Sequence, residues 1–281
     1  MSRIERARMA EDTVRLVRAG EYTTAQGHAV SIRSAVAKCL AQTKLLGAEE
    51  TEHLRELGPE GQPLPRPVAV EITNEPTIQA ILRLRGLTHV GVLNFASARN
   101  PGGGFLGGSE AQEESLARSS ALYESLSTLP QYYESHRREH SLLYSDAMIV
   151  SPECPVIRDE HGALLDEPVT VTFITSPAPN AGAIAATQPE NVMRVRPTLE
   201  RRAEQVLAVA AKEGCTAVIL GAWGCGVFRN EPSTVASAFA RQLGPGGRWE
   251  QHFERVVFAV LDRSSAQLNY RAFQQAFNRG Q

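Results

Sequence analysis

The amino-acid sequence predicts an α/β protein in which helices pack on a largely parallel β-sheet. From residue 68 onward, short runs rich in β-branched residues alternate with segments whose apolar residues recur at helical spacing. Alternation of this kind is typical of parallel strands joined by helical crossovers. The predicted strands span residues 68–73, 89–95, 147–151, 169–175, 216–222 and 256–261. The predicted helices between and after them span residues 77–84, 110–126, 197–213, 233–243 and 266–277.

Residues 58–67 separate this part of the chain from an N-terminal segment of different character. They are rich in glycine and proline, which is typical of a linker. Before the linker, apolar residues recur at helical intervals over residues 3–17 and again over residues 34–46. We therefore expect a mostly helical N-terminal extension over residues 1–62 and the α/β domain over residues 63–281.

Composition excludes several classes of protein. The chain has 281 residues, of which 42% are hydrophobic and 21% charged, and these are ordinary values for a globular fold. Its 29 basic and 31 acidic side chains give a net charge of −2, so duplex nucleic-acid binding is not expected. No apolar run approaches the roughly 20 residues of a membrane span, and the first residues are charged, so we expect a cytoplasmic protein. The four cysteines lack CxxC spacing, which predicts free thiols.

The first informative loop follows the predicted strand 89–95 and precedes the predicted helix 110–126. It contains five glycines, among them the run Gly102 to Gly104. Glycines let backbone N–H groups approach an anion closely, and a following helix N-terminus favours negative charge, so the loop predicts a diphosphate site. A flexible turn and a nicotinamide-dinucleotide site are the alternatives. A nicotinamide-dinucleotide site is disfavoured, because such a site has an acidic residue at the end of the strand after the loop, and no such strand follows here.

The helix after this loop begins with several acidic residues. Ser109 and Gln112 have the spacing of a capping box, and Glu113 and Glu114 could be first-turn acids favoured by the helix dipole. Two carboxylates directly behind a phosphate site favour a functional role instead. Because adjacent helical residues point in different directions, we expect one to accept hydrogen bonds from sugar hydroxyls and the other to transfer a proton.

A second glycine-rich loop follows the predicted strand 216–222. Gly224 and Gly226 flank Cys225 and provide further backbone donors. No histidine lies nearby in sequence to activate the thiol, so we interpret Cys225 as a small loop residue rather than a nucleophile. Phe228 is either a core residue or a ring that stacks on a ligand, and its glycine-rich surroundings favour the ligand.

A third candidate is an H-x-x-E-H motif formed by His136 and His140. Its spacing is that of some zinc peptidases. The segment is polar and rich in arginine, and it has no evident third ligand. We expect a solvated helix end here, and neither a metal nor a cofactor in the protein.

The glycine and glutamate motifs together resemble those of bacterial-type poly(ADP-ribose) glycohydrolases, whose catalytic domain is a macrodomain. The family signature is a triple glycine, a short spacer and Gln-Glu-Glu. In this sequence, Gly102 to Gly104 are followed by seven residues and then by Gln112 to Glu114. Similar segments occur at residues 13–22, 151–158, 175–180 and 224–228. The resemblance implies a three-layer α/β/α macrodomain with a mixed, mostly parallel central sheet.

The resemblance also implies roles for individual residues. Glu114 would be the single catalytic acid and base, and Glu113 would orient the ribose. The two glycine loops would hold the diphosphate, and Phe228 would pack on the distal ribose. The implied substrate-contacting set is completed by Gln112, Asn100, Gly102, Gly103, Gly104, Gly224, Cys225, Gly226 and Val227.

The implied activity is that of a hydrolase, specifically a glycosidase. It would cut ribose–ribose O-glycosidic bonds of poly(ADP-ribose) from the chain end, release ADP-ribose, and act on ADP-ribosylated proteins. The alternative is a macrodomain that reads ADP-ribose without turnover. Such a reader needs the glycine loops but not the paired glutamates, so the glutamates favour the enzyme.

Overall fold

The structure is a computed structural model that describes residues 1–278. Within these residues the α-helices are α1 (Arg3–Ala19), α2 (Arg33–Gln42), α3 (Ala48–Leu57), α4 (Thr77–Arg83), α5 (Gln112–Ser119), α6 (Leu122–Ser127), α7 (Pro130–Arg138), α8 (Ala181–Thr187), α9 (Val192–Lys212), α10 (Pro232–Leu243) and α11 (Leu268–Asn278). The strands are β1 (Glu21–Thr23), β2 (Ala29–Ser31), β3 (Lys44–Leu46), β4 (Ala69–Thr73), β5 (Val90–Phe95), β6 (Met148–Arg158), β7 (Leu164–Ser176), β8 (Ala217–Leu220) and β9 (Arg255–Ala259).

A seven-stranded sheet forms the centre of the molecule, with the strand order β3-β6-β7-β5-β8-β9-β4. The pairs from β7 through β5, β8 and β9 to β4 are parallel. The pairs that β6 makes with β3 and β7 are antiparallel. The predicted mixed, mostly parallel sheet is therefore confirmed.

The sheet separates two apolar cores, because successive strand side chains point to opposite faces. In β5, Val92 belongs to one core and Leu93 to the other, and in β8 Ile219 and Val218 divide in the same way. Helices α9, α10 and α11 cover the first face, whereas α1, α2 and α4 to α7 cover the second. Both faces are buried, which explains why the parallel strands are almost continuously apolar in sequence.

The N-terminal segment is built onto this sheet. Helices α1 to α3 account for most of it, as the apolar spacing predicts. The predicted helix 34–46 is wrong at its end, because α2 ends at Gln42 and Lys44–Leu46 forms the edge strand β3 beside β6. The side chains of Arg3 and Arg6 donate to the carbonyls of Gly107 and Gly108, each at 2.8 Å, so α1 also supports the first glycine loop. The domain boundary near residue 62 stays a prediction.

The predicted helix 110–126 is two helices. Helix α5 ends before Ser120, which adopts an extended conformation (φ −148°) and forms an isolated β-bridge with Val156. The predicted capping box is also wrong, because Ala111 precedes α5 and makes no side-chain cap, while Ser109 lies outside the helix. A capping box does occur at Ser2 and Glu5, at the start of α1.

Candidate active site

The candidate site lies where three neighbouring parallel strands end. Strands β7, β5 and β8 end at Ser176, Phe95 and Leu220, and the loops that follow them meet at this edge of the sheet. Ligands bind at this edge in open α/β sheets. The loops surround a cavity of about 360 Å³. Its lining residues are Ser97, Ala98, Arg99, Asn100, Leu142, Tyr144, Asn180, Ala183 and Phe228.

Glu113 is directed into the protein and contacts Ser97, one of the residues that line the cavity. Its side chain is buried, and its carboxyl oxygens accept hydrogen bonds from Asn94 Nδ2 at 3.2 Å and from the backbone N–H of Ser97 at 2.6 Å. Burial raises the pKa of Glu113 to about 8, although both donors oppose that shift. A pKa raised to this range favours the protonated form of the Glu113 carboxyl at neutral pH.

Glu114 has different surroundings, as expected for the next residue on a helix. It is only half-buried, and its Oε1 accepts a hydrogen bond from the backbone N–H of Gly104 at 3.1 Å. Gly103 lies against both carboxyl groups with a left-handed backbone (φ +60°). A Cβ at Gly103 would lie 2.5 Å from Glu114 Oε1 and 3.2 Å from Glu113 Oε2, so a larger residue would displace the glutamates.

Gln112 attaches the start of α5 to the central sheet. Its Oε1 accepts from the backbone N–H of Phe95 at 2.9 Å, and its Nε2 donates to the carbonyl of Leu93 at 2.8 Å and to Thr77 Oγ1 at 3.3 Å. Both ends of the amide are thus engaged by the protein. This contact replaces the capping role that the sequence suggested, and substrate contact by Gln112 stays a prediction.

The first glycine loop is internally hydrogen-bonded. The N–H of Gly103 donates to the carbonyl of Asn100 at 3.0 Å, and that of Gly104 is the donor to Glu114. Gly102 also has a left-handed backbone (φ +66°), which forms the turn. These glycines therefore allow a close approach of loop and glutamates, and their direct contact with a diphosphate stays a prediction. Asn100 lines the cavity, and its contact with substrate stays a prediction.

The tip of the second glycine loop offers three consecutive backbone donors. Within residues 1–278, the N–H groups of Gly226, Val227 and Phe228 make no hydrogen bond to the protein. Gly224 turns the chain with φ +71°, and its carbonyl accepts from the Asn230 backbone at 3.0 Å and side chain at 3.1 Å. This fixed base leaves the tip of the loop exposed beside the cavity.

Cys225 and Phe228 lie in this loop with different roles. Burial raises the pKa of the Cys225 thiol to about 12, which does not suit a nucleophile and agrees with its interpretation as a loop residue. Phe228 is half-buried at the cavity, with its ring centre 6.0 Å from that of Tyr144 and tilted by 40°. Sequence reasoning did not find Tyr144, because residues 141–147 carry no motif. It also gave no role to Asn180, although its segment resembles the family.

The H-x-x-E-H motif does not form a paired-histidine face. Helix α7 ends at Arg138, before His140, and His136 is buried rather than solvated as expected. The ring nitrogens of His136 lie 2.9 Å from the carbonyl of Tyr132 and 2.8 Å from Ser145 Oγ, so both are engaged. No cluster of three or more metal-ligating side chains occurs within residues 1–278. Over the same residues, no helix has the length and apolar character to cross a membrane.

Residues 10–159 match the family model of the microbial-type PARG catalytic domain. This chain belongs to that family. The matched range covers more than half of the sequence and includes the first glycine loop and both glutamates. The second glycine loop lies outside it. A comparison with curated proteins found no match.

Solved structures of the PARG family resemble this chain over nearly its whole length. The X-ray structure of poly(ADP-ribose) glycohydrolase from Thermomonospora curvata is 44% identical, with a TM-score of 0.93 over 97% of this chain and 99% of that one. The same protein bound to the inhibitor ADP-HPD has a TM-score of 0.90 at the same identity and coverage. The enzyme from Deinococcus radiodurans in complex with ADP-ribose is 45% identical, with a TM-score of 0.81 over 89% of this chain and 99% of that one. These matches confirm the family and the fold that the sequence predicts.

Proposed function

We propose that the protein is an exo-acting poly(ADP-ribose) glycohydrolase of macrodomain type in which Glu114 is the single catalytic acid and base. Membership of the PARG catalytic family makes it a glycosidase that acts on poly(ADP-ribose). The ADP-ribose complex of the Deinococcus radiodurans relative supports ADP-ribose as the ligand of this site. The observation that carries the catalytic assignment is the contrast between the buried Glu113 and the more exposed Glu114.

The reaction requires a proton donor and then a base. Cleavage of a ribose–ribose bond passes through an oxocarbenium-like state, in which the leaving 2′-oxygen takes a proton. Glu114 gives that proton, and its carboxylate then takes one from the water that attacks the anomeric carbon. A half-buried carboxyl with one backbone donor is accessible enough for both steps.

Glu113 orients the ribose in this proposal. Asn94 and Ser97 fix both of its oxygens, so its position is set before substrate arrives. The proton that Glu113 holds near neutral pH removes one negative charge from the site. The substrate diphosphate can then lie nearby with less repulsion.

The second glycine loop provides the diphosphate contacts and closes one end of the site. The unengaged N–H groups of residues 226–228 are suited to phosphate oxygens. The ring of Phe228 packs on the distal ribose and blocks a chain that continues beyond it. Only a terminal ADP-ribose unit then fits, which makes cleavage exo-acting. Neither a metal nor a cofactor takes part.

Incubation with poly(ADP-ribose) tests the proposed function. The expected product is free ADP-ribose, resolved by chromatography at early time points. A reader macrodomain would instead bind ADP-ribose and leave the polymer intact. Binding of ADP-ribose without release of product would therefore contradict the glycohydrolase and support the reader macrodomain.

We also propose ADP-ribosylated proteins as partners of the enzyme and the cytoplasm as its location. The near-neutral charge of the chain supports binding of the polymer in a specific pocket rather than broad binding of nucleic acid. Incubation with a polymer-modified protein, followed by detection of the residual modification, tests this part. Cell fractionation tests the location.

A further inference from the structure

One buried arginine connects two segments that form the wall of the cavity. Arg202 lies on α9 and is fully buried, with 0% of its surface exposed. Its Nε donates to Asp146 Oδ1 at 2.8 Å, and one terminal nitrogen donates to the carbonyl of Pro177 at 2.6 Å. The other terminal nitrogen donates to the carbonyls of Leu143 and Tyr144, both at 3.1 Å. A buried guanidinium requires such an ion pair and several hydrogen bonds to offset its desolvation.

The two bonded segments are distant in sequence but adjacent in the site. The first segment, residues 143–146, includes Tyr144. The second begins at Pro177, directly after β7, and leads to Asn180. Tyr144 and Asn180 both line the cavity. Arg202 itself is not among the lining residues, so it acts on the cavity through the residues that it holds.

Tyr144 adopts a backbone conformation that needs such support. Its φ of +58° is in the left-handed region, which a bulky residue rarely occupies unless its surroundings impose it. On one side, the hydrogen bonds from Arg202 to the carbonyls of Leu143 and Tyr144 hold this conformation. On the other side, the backbone N–H of Ser145 donates to His136 Nε2 at 3.2 Å. This conformation directs the Tyr144 ring toward Phe228, at 6.0 Å.

We propose that Arg202 is a positioning residue of the active site, which fixes Tyr144 opposite Phe228 and thereby sets the shape of the ADP-ribose cavity. The inference rests on the proposed function, since it takes this cavity as the substrate site. Glu114 is held separately, by the N–H of Gly104. Arg202 therefore affects substrate binding and leaves proton transfer unchanged.

Arg201 provides a matched control. It binds the same carboxylate, with nitrogen-to-oxygen distances to Asp146 of 2.8 and 3.2 Å. It is partly exposed and makes no bond to the carbonyls of residues 143, 144 or 177. Arg201→Met removes one ion pair to Asp146 but keeps the carbonyl contacts. Arg202→Lys keeps a positive charge but loses the planar, multiply donating group.

The experiment compares wild type, Arg202→Lys and Arg201→Met by calorimetric titration with ADP-ribose and by kinetics on poly(ADP-ribose). In Arg202→Lys we expect Kd and KM to rise about tenfold, as for the loss of a good contact, with kcat within about twofold of wild type. Arg201→Met should change none of these by more than about twofold. Equal effects of the two substitutions, or a fall in kcat at unchanged KM, would overturn the inference.

Tyr144→Ala keeps the inference testable if Arg202→Lys does not fold, as judged by near-UV circular dichroism. Its Kd for ADP-ribose must also rise about tenfold, because the ring that Arg202 positions is then missing. Where Arg202→Lys does fold, it must add little to the KM of Tyr144→Ala in the double variant. An unchanged Kd in Tyr144→Ala, or additive effects, would contradict positioning through Tyr144. Failure of wild type to bind ADP-ribose would instead refute the proposed function.

Discussion

At the scale of single residues, the site depends on two adjacent glutamates with different environments. Helix α5 directs Glu113 toward Asn94 and the backbone of Ser97, whereas Glu114 meets the backbone of Gly104. The sequence predicted that adjacent helical carboxylates have separate roles. It could not predict that Glu113 is buried deeply enough to hold a proton, because burial depends on the loop that folds over it.

The raised pKa of Glu113 predicts that stability falls as pH rises. The folded protein keeps the proton up to a pKa of about 8, whereas the unfolded chain loses it near the usual 4.5. The free energy of unfolding contributed by this group is therefore fully present below pH 4.5 and is lost between there and pH 8, at up to roughly 1.4 kcal/mol per pH unit. Urea unfolding of wild type and Glu113→Gln across this range measures the slope. The variant should lack this decline, and parallel curves would contradict the buried proton.

Phe228→Ala tests whether this ring closes the site. Loss of an aromatic contact worth about 0.5–1.5 kcal/mol beyond burial should weaken ADP-ribose binding several-fold. The opened end should also admit internal units, so that oligomers appear among the early products. Leu268→Ala serves as control, because Leu268 is 69% exposed on α11 and does not line the cavity. Long oligomers among the early products of wild type itself would refute the closed end.

At the scale of secondary-structure elements, the attachment of α5 to β5 positions the glutamates. Gln112→Leu has nearly the same size and removes every bond that the amide makes to Phe95, Leu93 and Thr77. It removes the Gln112 partner of the Phe95 N–H and of the Leu93 carbonyl, which lowers the free energy of unfolding by roughly 1–3 kcal/mol for each. The free energy of unfolding, measured with urea, and kcat should both be lower than in the control variant Gln251→Leu, because Gln251 is exposed. Unchanged stability would show that other contacts hold α5.

The ends of helices were predicted least well where they depend on pairing with residues that are far away in sequence. Local apolar spacing continues through residues 43–46 and through Ser120, so the sequence predicts unbroken helices there. In the structure, residues 44–46 instead pair with β6, and Ser120 bridges to Val156. A backbone group that finds a partner across the fold overrides a weak local propensity.

At the scale of the whole molecule, the predictable part of the site is the part that follows parallel strands. Both glycine loops leave β5 and β8 in sequence, and the sheet order brings them together. Tyr144 reaches the cavity from residues 141–147, which no periodicity or motif marks. Its contact with Phe228 arises only from packing across the fold, and so local sequence carried no signal for it.

Chelation tests the proposal that hydrolysis needs no metal. Treatment with EDTA, followed by removal of the chelator, should leave the rate of ADP-ribose release unchanged, because carboxyl chemistry alone is proposed. Buffer exchange without EDTA is the control. Loss of activity that a divalent cation restores would require a metal-dependent mechanism.

The central claim is that Glu114 alone supplies and accepts the catalytic proton. Glu114→Gln is nearly isosteric and removes only the transferable proton. ADP-ribose release should therefore fall by at least roughly 10²–10⁴-fold, while ADP-ribose affinity stays within about twofold of wild type. Glu110→Gln is the matched control, since Glu110 lies four residues earlier, is exposed and pairs with Arg6 at 2.8 Å. Loss of turnover in Glu114→Gln alone is the predicted result, and turnover near the wild-type rate in that variant would contradict the account.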